Sequence, residues 1–136
     1  MSIVRFDHIH LRSSDPEATA RFFETMFGAE ATRGVYPPGT LYPGQVRIML
    51  RVGGQKVLIA PAHPHDPMTP APAFPYYGLE HFGFTVEDLD ATIAELISKG
   101  AEIAVGPVTR DTGVYLAFVR GPDGIMVELV QNRSAA

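Results

Sequence analysis

The sequence contains an internal repeat, and this repeat limits the possible folds more than any other feature. Residues 6–15 align with residues 79–88 at a constant offset of 73, the difference between His81 and His8. In both copies the pattern predicts a β-strand that ends in an acidic turn. Because a recurring segment of this kind corresponds to one supersecondary unit, the sequence predicts two copies of the same small module.

An amphipathic helix is predicted after each acidic turn. The first helix is expected to begin at Asp15 and Pro16, because aspartate caps a helix and proline is tolerated in its first turn. Gly28 and Gly100 are expected to end the two helices, because glycine readily adopts the left-handed conformation found there. The apolar residues at helical spacing are Ala18, Phe22, Phe23, Met26 and Phe27 in the first copy and Leu89, Ile93, Leu96 and Ile97 in the second.

Two strand-like segments with a tight turn between them follow each helix. They are residues 46–52 and 56–60 in the first copy, and residues 114–119 and 125–130 in the second. Glycine-containing turns join each pair as a hairpin. Each copy is therefore predicted to contain a strand, a helix and two or three further strands, which places the chain in the α+β class.

The module boundaries follow from the same pattern. We expect a single domain over residues 1–136, with a first module at 1–60, a crossover at 61–77, a second module at 78–131 and a tail at 132–136. Six prolines between residues 61 and 77 argue against both helix and strand pairing in the crossover. The polar residues from Gln131 to the C-terminus are expected to fray.

Composition excludes several classes of function. The chain has no cysteine, so any metal must be bound by histidine and carboxylate. The formal charge of -4 comes from scattered residues and leaves no basic stripe for nucleic acid. Apolar runs fall short of the roughly 20 residues that span a bilayer, and no signal peptide is recognised, so we expect a cytoplasmic protein.

Three residues are candidates for one divalent metal site. His8 and His81 occupy equivalent positions in the repeat and would converge if the modules were related by a pseudo-twofold axis. Glu128 lies in an apolar strand, where a buried carboxylate requires a partner or a cation. Two imidazoles and one carboxylate suit Fe²⁺, Mn²⁺, Zn²⁺, Ni²⁺ or Co²⁺ without selecting among them.

The chain resembles the vicinal oxygen chelate superfamily, which includes glyoxalase I enzymes, extradiol dioxygenases and bleomycin-resistance proteins. The resemblance implies two tandem βαβββ modules whose curved mixed sheets form a cup around a metal. It also implies His8, His81 and Glu128 as ligands. The segments that carry it are residues 7–9, 79–86, 106–108 and 121–129.

One ligand of the superfamily's four-ligand members is missing. Those members carry another Glu, Gln or His on the last strand of the first module, where counting through the repeat reaches Leu58 or Ile59. The resemblance therefore favours three-ligand members over a glyoxalase I of the usual kind. His63 or His65 could replace the missing ligand if the chain bulges.

Further site residues are candidates, each with a structural alternative. His10 could be a donor or substrate contact, or an ordinary histidine. By the resemblance, Arg12 could hold an anionic substrate group, or instead pair with an acidic residue at the rim. Tyr115 could act as a general acid or as a packing aromatic. Tyr76 and Tyr77 could roof the cup or anchor the crossover.

The resemblance implies a metal-dependent enzyme that chelates neighbouring oxygens of a small oxygenated substrate and stabilises an enolate or oxyanion. A glyoxalase-like lyase or isomerase and a ring-cleaving dioxygenase are the two hypotheses within that class. The alternative is a metal-free drug-binding or resistance protein that uses the same cup. A homodimer is expected, because exposed edge strands need cover and many similar proteins complete their cups from two chains.

Overall fold

The two copies of the repeat fold into two units with the same order of elements. The computed structural model describes residues 2–133. The chain divides between Thr69 and Pro70, and each unit contains one four-stranded sheet and one α-helix. The prediction of an α+β chain with two βαβββ modules is confirmed.

In the first unit, the strand that comes first along the chain lies beside the strand that comes last. Its sheet order is β1-β4-β3-β2, and β1 runs parallel to β4 while the other pairs are antiparallel. The parallel pair places the first strand of the module beside the last. The elements are β1 (Ile9–Arg12), α1 (Pro16–Phe27), β2 (Glu30–Val35), β3 (Val46–Val52) and β4 (Gln55–Ala60).

The second unit repeats this topology. Its sheet order is β5-β8-β7-β6, with β5 parallel to β8. A short 3₁₀ turn at Pro122–Gly124 joins the last two strands. The other elements are β5 (Phe82–Thr85), α2 (Leu89–Ser98), β6 (Glu102–Thr109), β7 (Val114–Arg120) and β8 (Met126–Asn132).

Both helices begin at the predicted aspartates. The Asp15 carboxylate accepts a hydrogen bond from the backbone N–H of Ala18 at 3.1 Å. Asp88 does the same for Ala91 at 3.0 Å. Gly28, with φ of 67°, ends α1 in the left-handed conformation. The sequence-based helix boundaries are therefore confirmed to within one or two residues.

Each helix covers one face of its own sheet. In β3, Ile48 and Leu50 are buried, whereas Arg47 and Arg51 are exposed. Successive strand residues point to opposite faces, so the buried set faces α1 and the other face of the first sheet is open. In unit two both faces of the sheet are largely buried. The buried residues on the α2 side are Val119, Val127 and Leu129, and those on the side of Glu128 are Leu116, Phe118 and Met126.

Two details differ from the sequence-based expectation. Each sheet has an edge strand, β2 or β6, whose bounds were not predicted from the sequence. The apolar residues of these strands do not alternate clearly with polar ones, because an edge strand buries few side chains. The expected fraying from Gln131 is wrong for Gln131 and Asn132, which belong to β8. The Gln131 side chain accepts a hydrogen bond from the Leu89 backbone N–H at 2.8 Å, so it also fixes the start of α2. Residues 134–136 of the expected tail lie outside the described part.

The segment from residue 61 to residue 77 contains neither helix nor strand, as its prolines predicted. Among the described residues, no helix is long and apolar enough to cross a membrane.

Gly106 is required by a close approach between β6 and β7. The pairing of these strands shifts register on both sides of Val105, and Gly106 has a φ of +86°. A Cβ at this position would lie 2.7 Å from the Leu116 carbonyl oxygen, which is too close for any real contact. The glycine in the 106–108 motif thus has a structural reason.

We expect Gly106→Ala to destabilise the protein by about 3 kcal/mol or more, from the left-handed conformation together with the backbone clash. Gly28→Ala is the matched control, because Gly28 has a positive φ but nothing within 4 Å of the methyl group that alanine would add. That control should lose only about 1–2 kcal/mol. Urea unfolding of both variants measures the difference. Equal losses would show that the strand approach is not a constraint.

Candidate metal centre

His81 and Glu128 are brought together by the parallel pairing of β5 with β8. Gly83 lies opposite Glu128 in this pairing, and Glu128 in turn lies opposite Phe118 in β7. His81 precedes Gly83 by two residues and so shares its face. Nε2 of His81 is 2.9 Å from Oε2 of Glu128. Gly83 leaves room for this pair, since a Cβ there would lie 3.2 Å from the Glu128 Cβ.

The other nitrogen of His81 also faces a carboxylate. Nδ1 of His81 is 2.8 Å from Oε1 of Glu80. A neutral imidazole donates from only one nitrogen, so it can satisfy one of the two carboxylates and not both. A proton or a metal ion is needed on the other nitrogen. Imidazole nitrogen and carboxylate oxygen are both atoms that bind divalent metals, so His81 and Glu128 would hold such an ion between them.

Tyr76 holds Glu80 in place. The backbone N–H of Tyr76 donates to Oε2 of Glu80, and the Tyr76 hydroxyl donates to the Glu80 carbonyl oxygen, both at 3.3 Å. Tyr77 is fully exposed, and both tyrosines line a shallow surface pocket that includes His81. The predicted substrate contact of these tyrosines stays a prediction, while the observed role of Tyr76 is to support the carboxylate behind His81.

An apolar floor lies under the His81–Glu128 pair. The ring of Phe118 meets the His81 ring edge-on with 4.8 Å between centroids. Phe74 packs on Phe118 at 5.5 Å, and Leu116 and Met126 complete the cluster. This floor keeps water from one side of the pair and strengthens its electrostatic interactions. Sequence reasoning missed Phe118, because its place opposite Glu128 depends on the register of β7 with β8.

His8 repeats the arrangement of His81 in the first unit. It lies just before β1, and its Nδ1 is 2.8 Å from Oδ2 of Asp7. Lys56 also approaches Asp7, with 3.3 Å between Nζ and Oδ2. The hydrogen bond with His8, followed by that with Lys56, lowers the pKa of Asp7. Asp7 therefore stays a carboxylate at neutral pH and can accept a hydrogen bond from Nδ1 of the His8 ring.

His10 and Arg12 continue the row that starts at His8. The rings of His8 and His10 are 6.4 Å apart. Partial desolvation, followed by the nearby Arg12 charge, lowers the pKa of His10, although its side chain is exposed. The Arg12 guanidinium donates to the Tyr42 hydroxyl and to the Pro61 carbonyl oxygen.

Within residues 2–133, no three His, Asp or Glu side chains form a group able to hold a metal ion. The structure thus brings two of the candidate ligands together, His81 and Glu128 in the second unit, while His8 lies in the first. The complete three-ligand set remains a prediction, as does the homodimer.

Tyr115 points away from this pair. Phe118 shares a face with Glu128, and Tyr115 is three residues away, so it lies on the face covered by α2. Its hydroxyl donates to Asp90 of α2 at 2.6 Å, and Arg133 stacks on its ring at 3.6 Å. The structure does not bring Tyr115 together with the other candidate site residues.

A family model described as the glyoxalase/bleomycin resistance protein/dioxygenase superfamily matches residues 5–129. The chain belongs to this superfamily. Its sequence is 30% identical to a virulence protein of Salmonella typhimurium, over 96% of this chain and 86% of that protein. A probable lactoylglutathione lyase of Vibrio parahaemolyticus is 38% identical over a shorter stretch, which covers 41% of each chain.

A solved structure of a glyoxalase family protein from Enterococcus faecalis has the same fold. The two chains superpose with a TM-score of 0.75 and 26% identity, over 96% of this chain and 99% of the other. The superfamily includes many metal-dependent enzymes. Membership and fold are therefore established, while the reaction of this member is a separate question.

In this superfamily member, the first unit has no carboxylate at the position of Glu128. His10 pairs with Leu58, and Gly83, which is 73 residues after His10, pairs with Glu128. The counterpart of Glu128 is therefore Leu58 and not Ile59. His63 accepts hydrogen bonds at Nδ1 from the backbone N–H groups of His65 and Asp66. His63 is thus engaged in a local turn, and its role as a replacement ligand stays a prediction.

The contact between Tyr115 and Asp90 predicts a measurable shift. The hydrogen bond to the Asp90 carboxylate, aided by burial, raises the pKa of Tyr115. We expect Asp90→Ala to lower this pKa toward the ordinary value for tyrosine. Ultraviolet titration of tyrosinate, with Tyr115→Phe used to assign the signal, measures the change. An unchanged titration in Asp90→Ala would contradict the placement of Tyr115 on the helix side.

Proposed function

We propose that this superfamily member is a divalent-metal-dependent enzyme in which His8, His81 and Glu128 hold the metal. Its substrate is a small molecule that binds through two neighbouring oxygen atoms. The observation that best supports this proposal is the His81 ring, whose two nitrogens lie 2.8 Å and 2.9 Å from the carboxylates of Glu80 and Glu128. A neutral His81 ring has one N–H and faces two carboxylates. A cation bound between Nε2 and Glu128 would take the place of the missing hydrogen.

In the proposed reaction, the metal, the aromatic residues and the base would each have a separate role. When bound, the divalent metal supplies a Lewis acid that stabilises negative charge developing on a substrate oxygen. Phe118 and Phe74 exclude water beneath the His81–Glu128 pair. The base that takes a proton from the substrate would be Glu128, if it leaves the metal, or His10, which lies two residues after His8.

Two observations favour a lyase or isomerase over a dioxygenase. Probable lactoylglutathione lyases match 41% and 40% of the chain, which supports a lyase, although Leu58 replaces the fourth ligand of the usual glyoxalase I. Tyr115, a candidate donor for a dioxygenase, is engaged with Asp90 on the other face of its sheet. The donor set of imidazole and carboxylate leaves the identity of the metal open.

An anionic substrate is favoured by the open face of the first sheet. The partners of the Arg12 guanidinium are the neutral Tyr42 hydroxyl and the Pro61 carbonyl oxygen, and within residues 2–133 no carboxylate forms an ion pair with it. Arg47 shares this face, because Met49, two residues along β3, pairs with Leu58 beside His10. Neutral partners orient a guanidinium without balancing its charge, so a substrate carboxylate or phosphate would do so.

The metal assignment is tested by loading the purified protein with zinc and measuring bound metal and its affinity. We expect about one equivalent per chain, and we expect His8→Ala, His81→Ala and Glu128→Ala each to lose it, because a catalytic site with only three protein ligands has none to spare. Glu102→Ala, which removes a surface carboxylate paired with Arg120, is the matched control and should bind as the wild type does. No zinc uptake by the wild type under any loading condition would overturn the proposal and leave a metal-free binding protein.

The substrate class is tested with zinc-loaded protein and two probes, lactate and malate. Both contain a hydroxyl next to a carboxylate, and malate has a second carboxylate. We expect malate to bind more tightly, and we expect Arg12→Met to reduce that preference by about tenfold, since a hydrogen bond to a charged group is lost. Isothermal titration calorimetry measures both affinities.

Arg21→Met is the control for the loss of an arginine, because Arg21 lies on the exposed surface of α1. It should leave the preference for malate unchanged. The same malate-to-lactate ratio in the wild type and in Arg12→Met would exclude Arg12 as an anion-binding residue without affecting the metal assignment.

A further inference from the structure

Each candidate histidine ligand is preceded by an acidic residue that contacts its ring. Asp7 Oδ2 lies 2.8 Å from Nδ1 of His8, and Glu80 Oε1 lies 2.8 Å from Nδ1 of His81. Asp7 and Glu80 are themselves 73 residues apart, so they are equivalent positions of the repeat. We propose that Asp7 and Glu80 are positioning residues that fix both imidazoles for metal binding through Nε2. This inference rests on the proposed function.

The contact does not follow from strand geometry. Consecutive residues in a regular strand point to opposite faces, which would separate a carboxylate from the ring that follows it. His8 and His81 both lie one residue before their strands begin, at Ile9 and Phe82. The backbone before each strand is not held in regular strand geometry, so the carboxylate and the following ring can contact each other. This contact is found in both units.

A carboxylate at Nδ1 determines how the ring can act. Nδ1 must carry the proton in order to donate to the carboxylate, so the lone pair of a neutral ring is left on Nε2. The same hydrogen bond restricts rotation of the ring and increases the basicity of Nε2 toward a metal. For His81, Nε2 is the atom that faces Glu128. The carboxylates would therefore select the ligating nitrogen before any metal arrives.

The two carboxylates are not held equally firmly. The Glu80 side chain is 23% exposed and is also bound by the Tyr76 backbone N–H. The Asp7 side chain is 54% exposed and is shared between His8, Lys56 and the more distant Arg5. Exposed contacts are weakened by solvent and salt, so Glu80 should restrain its histidine more strongly than Asp7 does.

The test uses full-length protein and zinc alone, with the dissociation constant measured by competition with a chromophoric chelator. We expect Glu80→Ala to weaken zinc binding by about 10- to 100-fold, and Asp7→Ala by a smaller factor. Glu80→Gln keeps an oxygen acceptor near the ring without the charge, so its affinity should fall between those of the wild type and Glu80→Ala. Glu95→Ala is the matched control, because Glu95 pairs with Lys99 on the surface of α2, and it should bind zinc normally.

A spectroscopic measurement separates positioning from general damage to the fold. In the zinc-loaded wild type, the Nδ1 proton of His81 should give a downfield NMR resonance that exchanges slowly, because it donates to a carboxylate. In Glu80→Gln this resonance should move upfield while the backbone amide spectrum keeps its dispersion. This variant retains the side-chain shape and serves if Glu80→Ala fails to fold.

The outcomes distinguish this inference from the proposed function. If the wild type binds zinc, His81→Ala does not, and both Glu80 variants bind as tightly as the wild type with an unmoved Nδ1 proton, then the positioning role is wrong and the metal site stands. If the wild type takes up no zinc, the proposed function and this inference both fail. Weakened binding together with the shifted resonance supports both.

Discussion

The parallel pairing of the first and last strands within each unit is the interaction on which the rest of the structure depends. It places the segment before β5 beside β8, so that a histidine from the start of the module and a glutamate from its end come within hydrogen-bond distance. Neither residue could reach the other along the chain, because 47 positions separate them. The helix between the strands covers the opposite face and makes this crossover possible.

Much of this architecture could be predicted from the sequence because its signals are local and repeated. The aspartate caps and the glycine ends of the helices act within a few residues, and both are found as expected. The equivalence of His8 and His81 could be predicted from the offset of the repeat alone. These features do not depend on knowing which strands are neighbours in the sheet.

The other features of the site depend on which residues of neighbouring strands lie opposite each other. This register could not be read from the sequence. The choice between Leu58 and Ile59 as the counterpart of Glu128 required the pairing of β1 with β4. The placement of Tyr115 required the pairing of β7 with β8, which puts it an odd number of residues from Phe118 and thus on the opposite face. Asp7 and Glu80 were visible in the repeat, but the contact of each carboxylate with the following ring is a property of the folded chain.

Leu58 has a further consequence for the charge balance of the proposed centre. A divalent ion held by two neutral imidazoles and one carboxylate keeps a net charge of about +1, whereas a carboxylate in place of Leu58 would cancel it. The two repeats have thus diverged in charge, with an acidic residue at the ligand position in one unit and arginines on the open sheet of the other. Such a centre is short of negative charge, and a substrate anion is the species that would make it neutral.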